Sequence, residues 1–239
     1  MTIPKIIHYC WFGNNPLSSE ARKCKESWER FFPDYEIREW NEENFDVFSI
    51  PYAAEAYEAK KYAFVSDYAR FKVLYDYGGI YFDTDVEVIK SMDKILRKGP
   101  FLGVENENGD VNPGLGLCGY ANMDFFNDMI EVYSSLHFVN KDGTYNKKTI
   151  VDYTTEVLLK KGLMRTNEIQ YIAEMNIYPV DYFCPISTSD GLIRLTENTV
   201  SIHHFAQSWQ PAYRRLARDL ILQIGGVKLK RLLKMIFRL

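Results

Sequence analysis

Apolar and polar positions along this chain change period repeatedly. The run KIIHYCWF (5–12), mostly apolar and of strand length, reads as a buried strand, and the GNNPLSS that follows is a loop ending in a helix N-cap at Ser18 or Ser19. Helical spacing then runs to about Phe32, and YEIREW (35–40) returns to partial alternation, a second strand. Residues 55–77 are mostly helical, in two pieces around Lys60 and Lys61, with Phe64, Tyr68, Phe71 and Tyr75 spaced as a core-facing stripe. Gly78 and Gly79 stop that helix, because glycine enters the left-handed conformation freely. IYFD and VEVI follow as short strands, then FLGVE and LGLCGYA. DFFNDMIEVYSSL and 149–161 read as helices, and VSIHHFA as a late strand. Strands interleaved with helices predict an α/β domain with a mainly parallel central sheet, whose ligands bind at the carboxyl ends of the strands.

Composition narrows this picture modestly. A chain of 239 residues with 46% hydrophobic residues is long enough to bury a substantial core in one large domain, which argues against disorder. Four cysteines form no CxxC pair, and MTIPKIIHYCWFG lacks the basic start and long apolar run of a secretory signal, so a reducing, cytoplasmic setting is expected. No eighteen-residue apolar stretch predicts a membrane span. The net charge of −3 argues against a nucleic-acid partner, yet it divides unevenly: residues 211–239 carry +7 and residues 1–210 carry −10. The expected organisation is a catalytic-type domain over 1–210 and a basic helical extension over 211–239.

Candidate chemistry concentrates in GGIYFDTD (78–85). On a strand, Asp83 and Asp85 would face the same way, about 7 Å apart, and their repulsion is relieved by a hard divalent cation such as Mg²⁺ or Mn²⁺. Two solvated aspartates at a strand end are the alternative. Asp67 and Arg70 sit three residues apart on the preceding helix, either a surface ion pair worth under ~1 kcal/mol or, with Ser66, a polar set suited to sugar hydroxyls. In IHHFAQSW (202–209), His203 and His204 point to opposite sides, so at most one faces a site; Ser208 and Trp209 offer donors for phosphate oxygens. Trp11 and Phe12, at the end of the first strand, are either core or a stacking surface for a flat base.

SDYARFKVLYDYGGIYFDTD (66–85), with IPKIIHYCWFG before it and HHFAQSW after it, resembles the DxD glycosyltransferases of family 32. That group is related to the catalytic domains of the large clostridial glucosylating toxins and to bacterial capsule-synthesis transferases. The likeness covers the first ninety or so residues and the HHFAQSW segment; residues 106–198 match little. It implies a GT-A type fold, Mn²⁺ or Mg²⁺, a nucleotide-sugar donor of the UDP-sugar kind, and retention of anomeric configuration. By position, Asp85 would be the direct metal ligand, Asp83 would contact the ribose and support the metal, and His204 would be the further ligand. Asp67 and Arg70 would hold the donor sugar; Trp11, with Phe12, Ser66 and Tyr81, would form the base pocket; Trp209 and Ser208 would bind the diphosphate. No general base is visible, so the leaving phosphate itself takes the acceptor proton in the mechanism this implies. Glu105 and Asp110 are candidates to contact the acceptor.

Three other readings compete. Phosphatases of the haloacid dehalogenase class also place DxD after an apolar strand, but with Thr or Val where this chain has Glu87, and with the motif near the N-terminus. A GDP-mannose donor would keep the transferase, and a non-catalytic interaction protein would keep the fold. The expected role is surface polysaccharide synthesis, capsule or lipopolysaccharide, on a saccharide acceptor carried by lipid. The segment VKLKRLLKMIFRL (227–239) divides into an apolar face and a basic one, as a helix lying on an anionic membrane does; packing on the chain's own acidic 1–210 body is the alternative.

Overall fold

The first strand, β1 (Ile6–Cys10), sends alternate side chains to two separate cores. Ile7 and Tyr9 join one apolar cluster and Cys10 the other, as the two-residue period of a strand requires. The same division recurs along β3 (Gly79–Tyr81), β5 (Phe101–Gly103) and β6 (Leu117–Gly119): Ile80, Phe101 and Cys118 face one side, Tyr81, Leu102 and Leu117 the other. A sheet buried on both faces follows directly. The computed structural model describes residues 2–187 and 192–206.

Seven strands lie in the order β2-β1-β3-β6-β5-β8-β7, with β2 at Glu36–Trp40, β7 at Gln170–Ile172 and β8 at Met175–Tyr178. β1 pairs in parallel with β2 and β3, and β5 with β8, while β6 is antiparallel to both its neighbours and β7 to β8. Five strands therefore run one way and β6 and β7 the other. The mixed α/β architecture with a mainly parallel sheet, expected of a GT-A type fold, is the one observed. A second, two-stranded sheet pairs β4 (Val86–Val88) with β9 (Ser201–His203).

Helix α1 (Ser19–Phe31) is capped by the Ser18 hydroxyl, which accepts from the Ala21 amide at 3.1 Å. It also holds β4. Trp28 Nε1 donates to the Val86 carbonyl at 2.8 Å, and the Val88 amide donates to Ser27 Oγ at 2.9 Å. The opposite face carries α2 (Pro51–Glu58), α3 (Tyr62–Tyr77), α5 (Asp124–Ser134) and α6 (Ile150–Lys160), with short helices α4 (Asp93–Leu96) and α7 (Val180–Phe183) elsewhere along the chain. The break at Lys60 is real: this residue stands at φ +56° between α2 and α3.

Helix α3 ends at Gly78, φ +64°, and the chain turns straight into β3. Gly79 has φ +108°, and a Cβ there would stand 2.6 Å from the Ile6 carbonyl oxygen and 3.1 Å from His8 Nε2. His8, wholly buried, donates from Nε2 to the Gly78 carbonyl at 2.8 Å and accepts at Nδ1 from Trp40 Nε1 at 3.0 Å. The double glycine is thus more than a helix stop. It lets β3 press against β1 over a histidine whose two nitrogens are both used.

One expectation needs correction. Asp83 and Asp85 do not stand on a strand; they occupy the turn between β3 and β4, closed by the Val86 amide on the Asp83 carbonyl at 3.0 Å. The β7–β8 hairpin had no counterpart in the sequence reading. The basic segment 211–239 lies outside the described residues.

Candidate active site

The middle of helix α3 is buried without a break from Asp67 to Phe71, so Asp67 and Arg70 are 8% and 3% exposed and do not form a surface pair. Arg70 Nη2 lies 3.1 Å from Asp67 Oδ1 and 3.2 Å from Asp83 Oδ1. Its guanidinium also covers the Tyr81 ring, 4.8 Å from the centroid. One buried cation therefore serves two carboxylates. Burial pushes the Asp67 carboxyl up to about 7 against the pull of Arg70, with Asp83 adding to the rise. Burial alone would depress Arg70, but Asp83, Tyr81 and Asp67 raise it, so the guanidinium stays charged.

Asp85 is built differently. Its Oδ1 lies 3.1 Å from His203 Nε2, and its Oδ2 accepts from the Ala206 amide at 2.8 Å. Burial opposes its ionisation, yet the His203 charge and hydrogen bond, with the Ala206 amide, hold it down at about 2. Burial would lower His203, and Asp85, followed by Asp83 and Glu105, raises it instead. His203 Nδ1 is buried with no hydrogen-bond partner among the described residues.

Asp83, Asp85 and His203 bring one ligand atom each to within 4.8 Å of one another. The turn between β3 and β4 and the end of β9 bring these atoms together. Two carboxylates and an imidazole suit a divalent ion of intermediate hardness such as Mn²⁺, so the residues present fit the metal that the resemblance implies.

The ring facing the aspartates is His203, which corrects the expectation of His204. The register of β9 against β4 sets this: His203 pairs with Val86, next to Asp85, while His204 comes after the strand and turns out to Glu87, Nε2 to Oε2 2.9 Å. Two base-pocket expectations also change. Phe12 is 6% exposed with its ring edge-on to Phe45, because β1 carries it into the core between sheet and helices. Tyr81 is buried behind Asp83, to whose Oδ1 it donates at 3.1 Å. Ser66 Oγ donates to the Tyr62 carbonyl at 3.1 Å within α3. Trp11 remains half-buried at the carboxyl end of β1, its indole N–H donating to the Asn15 carbonyl at 2.6 Å. Ser208 and Trp209 lie outside the described residues. Asp110 pairs outward with Arg165 at 2.6 Å, whereas Glu105 is held inward by Asn112 Nδ2 at 2.7 Å. Asn112 and Gly114 went unnoticed in the sequence; the turn residues of NPGLG (112–116) were their one signal.

A buried arginine bridges Asp67 and Asp83, and Asp83 belongs in turn to the two-carboxylate, one-imidazole cluster. Residues 18–102 match the family model described as glycosyltransferase sugar-binding region containing DXD motif, so the resemblance to DxD glycosyltransferases stands. The chain is similar to inositol phosphoceramide mannosyltransferase 1 of Schizosaccharomyces pombe, 28% identical over 173 residues, 67% of this chain and 49% of that protein. It is also similar to an uncharacterized glycosyltransferase of Acanthamoeba polyphaga mimivirus, 27% identical over 230 residues, 87% of this chain and 84% of that one. The chain spans half or less of the fission-yeast relative it matches. Among solved structures, the PaToxG glycosyltransferase superposes with a TM-score of 0.49 at 20% identity, covering 67% of this chain and 69% of that one.

Proposed function

We propose that this protein is a metal-dependent, retaining glycosyltransferase that moves a hexosyl or N-acetylhexosaminyl group from a nucleoside-diphosphate sugar to a saccharide hydroxyl. The observation that carries the reading is the convergence of Asp83, Asp85 and His203 beside the Arg70–Asp67 pair at the carboxyl ends of β1 and β3. A divalent cation held there supplies Lewis-acid neutralisation of the diphosphate leaving group. This chain's own residues do the rest. Arg70 fixes Asp83 and Asp67 in one geometry, Asp67 offers a carboxyl to donor-sugar hydroxyls, and Trp11 offers a face at the rim for the base. Trp209 and Ser208 are assigned to the leaving diphosphate as donors. The acceptor proton passes to that phosphate.

For the donor, Trp11 in the base-stacking position favours a uridine nucleotide. The names of fission-yeast and budding-yeast relatives, mannosyltransferases and a mannosyl phosphorylinositol ceramide synthase, favour GDP-mannose. Incubation with a panel of UDP- and GDP-sugars separates the two: metal-dependent release of UDP supports the first, GDP the second. Phosphate release from a generic ester, with neither nucleotide freed, contradicts both. Among the described residues no helix is long and apolar enough to cross a membrane. The +7 of residues 211–239 supports contact with an anionic membrane where a lipid-linked acceptor of capsule or lipopolysaccharide type would sit. Sedimentation with anionic but not neutral vesicles, reversed by salt, is the expected result.

A further inference from the structure

Asp83 lies against a loop that has room for nothing but glycine. A Cβ added to Gly114 would stand 2.0 Å from Asp83 Oδ2 and 3.0 Å from Asn112 Oδ1. The φ of Gly114 is outside the left-handed range, so its backbone does not demand glycine; the approach of the carboxylate does. The same residue grips the Asp83 backbone, whose amide donates to the Gly114 carbonyl at 3.1 Å. Behind it the contacts continue. The Gly114 amide donates to Asn112 Oδ1 at 2.7 Å, and Asn112 Nδ2 donates to Glu105 Oε2 at 2.7 Å. These two bonds use the asparagine amide in the one orientation that satisfies both, with Pro113 stiffening the step between. The Asn112 amide donates to the Gly103 carbonyl at 3.0 Å, tying this chain of contacts to the end of β5.

We infer that Glu105 and Asn112 are positioning residues that set the Asp83 carboxylate through Gly114, a relay from the end of β5 to the metal-side aspartate. Neither side chain has to touch donor or acceptor for this role. The proposal rests on the functional reading above, because it treats Asp83 as part of a metal and nucleotide site. Loss of an outer partner of this kind typically costs about 10- to 100-fold in metal affinity or activity.

The test measures binding of Mn²⁺ with UDP or GDP by electron paramagnetic resonance, alongside the melting temperature of each variant. Gly114→Ala raises the Mn²⁺ Kd by about 10- to 100-fold, and Asn112→Asp, which turns a donor into a second carboxylate facing Glu105, raises it by about tenfold. Glu105→Gln, whose amide oxygen still accepts from Asn112, stays within about threefold of the parent, while Glu105→Ala follows Asn112→Asp. In an Asp83→Ala background Gly114→Ala has no further effect, since its target is gone. Asn112→Asp carries the same test if Gly114→Ala lowers the melting temperature. Parent-like Mn²⁺ binding by folded Gly114→Ala and Asn112→Asp, or full additivity with Asp83→Ala, overturns the relay while leaving the site intact. Failure of the parent protein to bind Mn²⁺ with either nucleotide overturns the metal-dependent reading and the relay with it.

Discussion

β3 is three residues long, and its two ends follow opposite rules. At its start, Gly78 and Gly79 sit over His8, whose nitrogens are both bonded, to Gly78 and to Trp40, with Trp40 and Tyr77 packed beside the ring. Just past its end, Asp83 and Asp85 crowd like charges together, and His203 keeps a buried nitrogen without a partner among the described residues. Buried polar groups stabilise when their hydrogen bonds are complete and cost about 1–3 kcal/mol when they are not. The first end is therefore where β3 is fixed, and the second is where a ligand has something to complete. One short strand passes the rigidity of the first end to the chemistry of the second.

Breaking the second end should remove function and leave the fold. Asp85→Ala is expected to lower nucleotide-sugar turnover by at least ~10³-fold, the scale of losing a central electrostatic contact to the leaving group. Its melting temperature should fall only modestly: the turn keeps its backbone bonds, while His203 and the Ala206 amide lose their partner. Breaking the first end should do the reverse: Gly79→Ala, strained at φ +108° and 2.6 Å from a carbonyl, should cost on the order of 2–4 kcal/mol in denaturant unfolding.

His8 adds a pH signature to that first end. Burial, only partly offset by the bond to Gly78, lowers it from 6.5 to about 4. The unfolded chain takes up its proton as pH falls through 6.5, and the folded one resists until about 4, so the contribution is complete above 6.5 and is lost between 6.5 and 4. The loss is roughly 3 kcal/mol at most. Unfolding curves at pH 7.5 and 4.5 check it: His8→Gln should show a smaller change between the two than the parent does, and an equal change would show that His8 does not hold this end.

Asp67→Asn sharpens the boundary between the two ends, being buried like the first and placed with the second. Turnover is expected to fall ten- to a hundredfold, about 1.4–2.8 kcal/mol, with little change in stability. A lowered melting temperature with unchanged kinetics would move Asp67 to the structural side. The smallest effect is expected for His204→Ala, which removes an exposed contact to Glu87 worth about 0–1 kcal/mol and should leave Mn²⁺ binding unchanged.

Much of this was legible in the chain because it was written locally. The Ser18 cap, the break at Lys60, the stop at Gly78 and the pairing of the DxD with an upstream Asp–Arg helix are all matters of a few neighbouring residues. What escaped depends on partners far along the sequence. His203 rather than His204 meets Asp85 because β9 pairs with β4 in one register, and a shift of one residue would exchange the rings. Phe12, open in the sequence to either core or stacking, and Tyr81, placed in the base pocket by resemblance, are both buried in the fold. The β7–β8 hairpin was missed because its turn places Ala173 and Glu174 at φ +51° and +61°, a conformation usually signalled by Asn-Gly. Gly114 went unnoticed, and only the approach of Asp83 shows what it makes room for.

The central claim is that Asp83, Asp85 and His203 form a divalent-metal site for a nucleoside diphosphate. Crystals grown with MnCl₂ and UDP or GDP, with data collected at the manganese edge, test it most directly. The account predicts one anomalous peak coordinated by Asp85 and by the diphosphate, with His203 as the nearest imidazole. A peak on His204 and Glu87, or no peak at the Asp85 turn while nucleotide is bound, would contradict it.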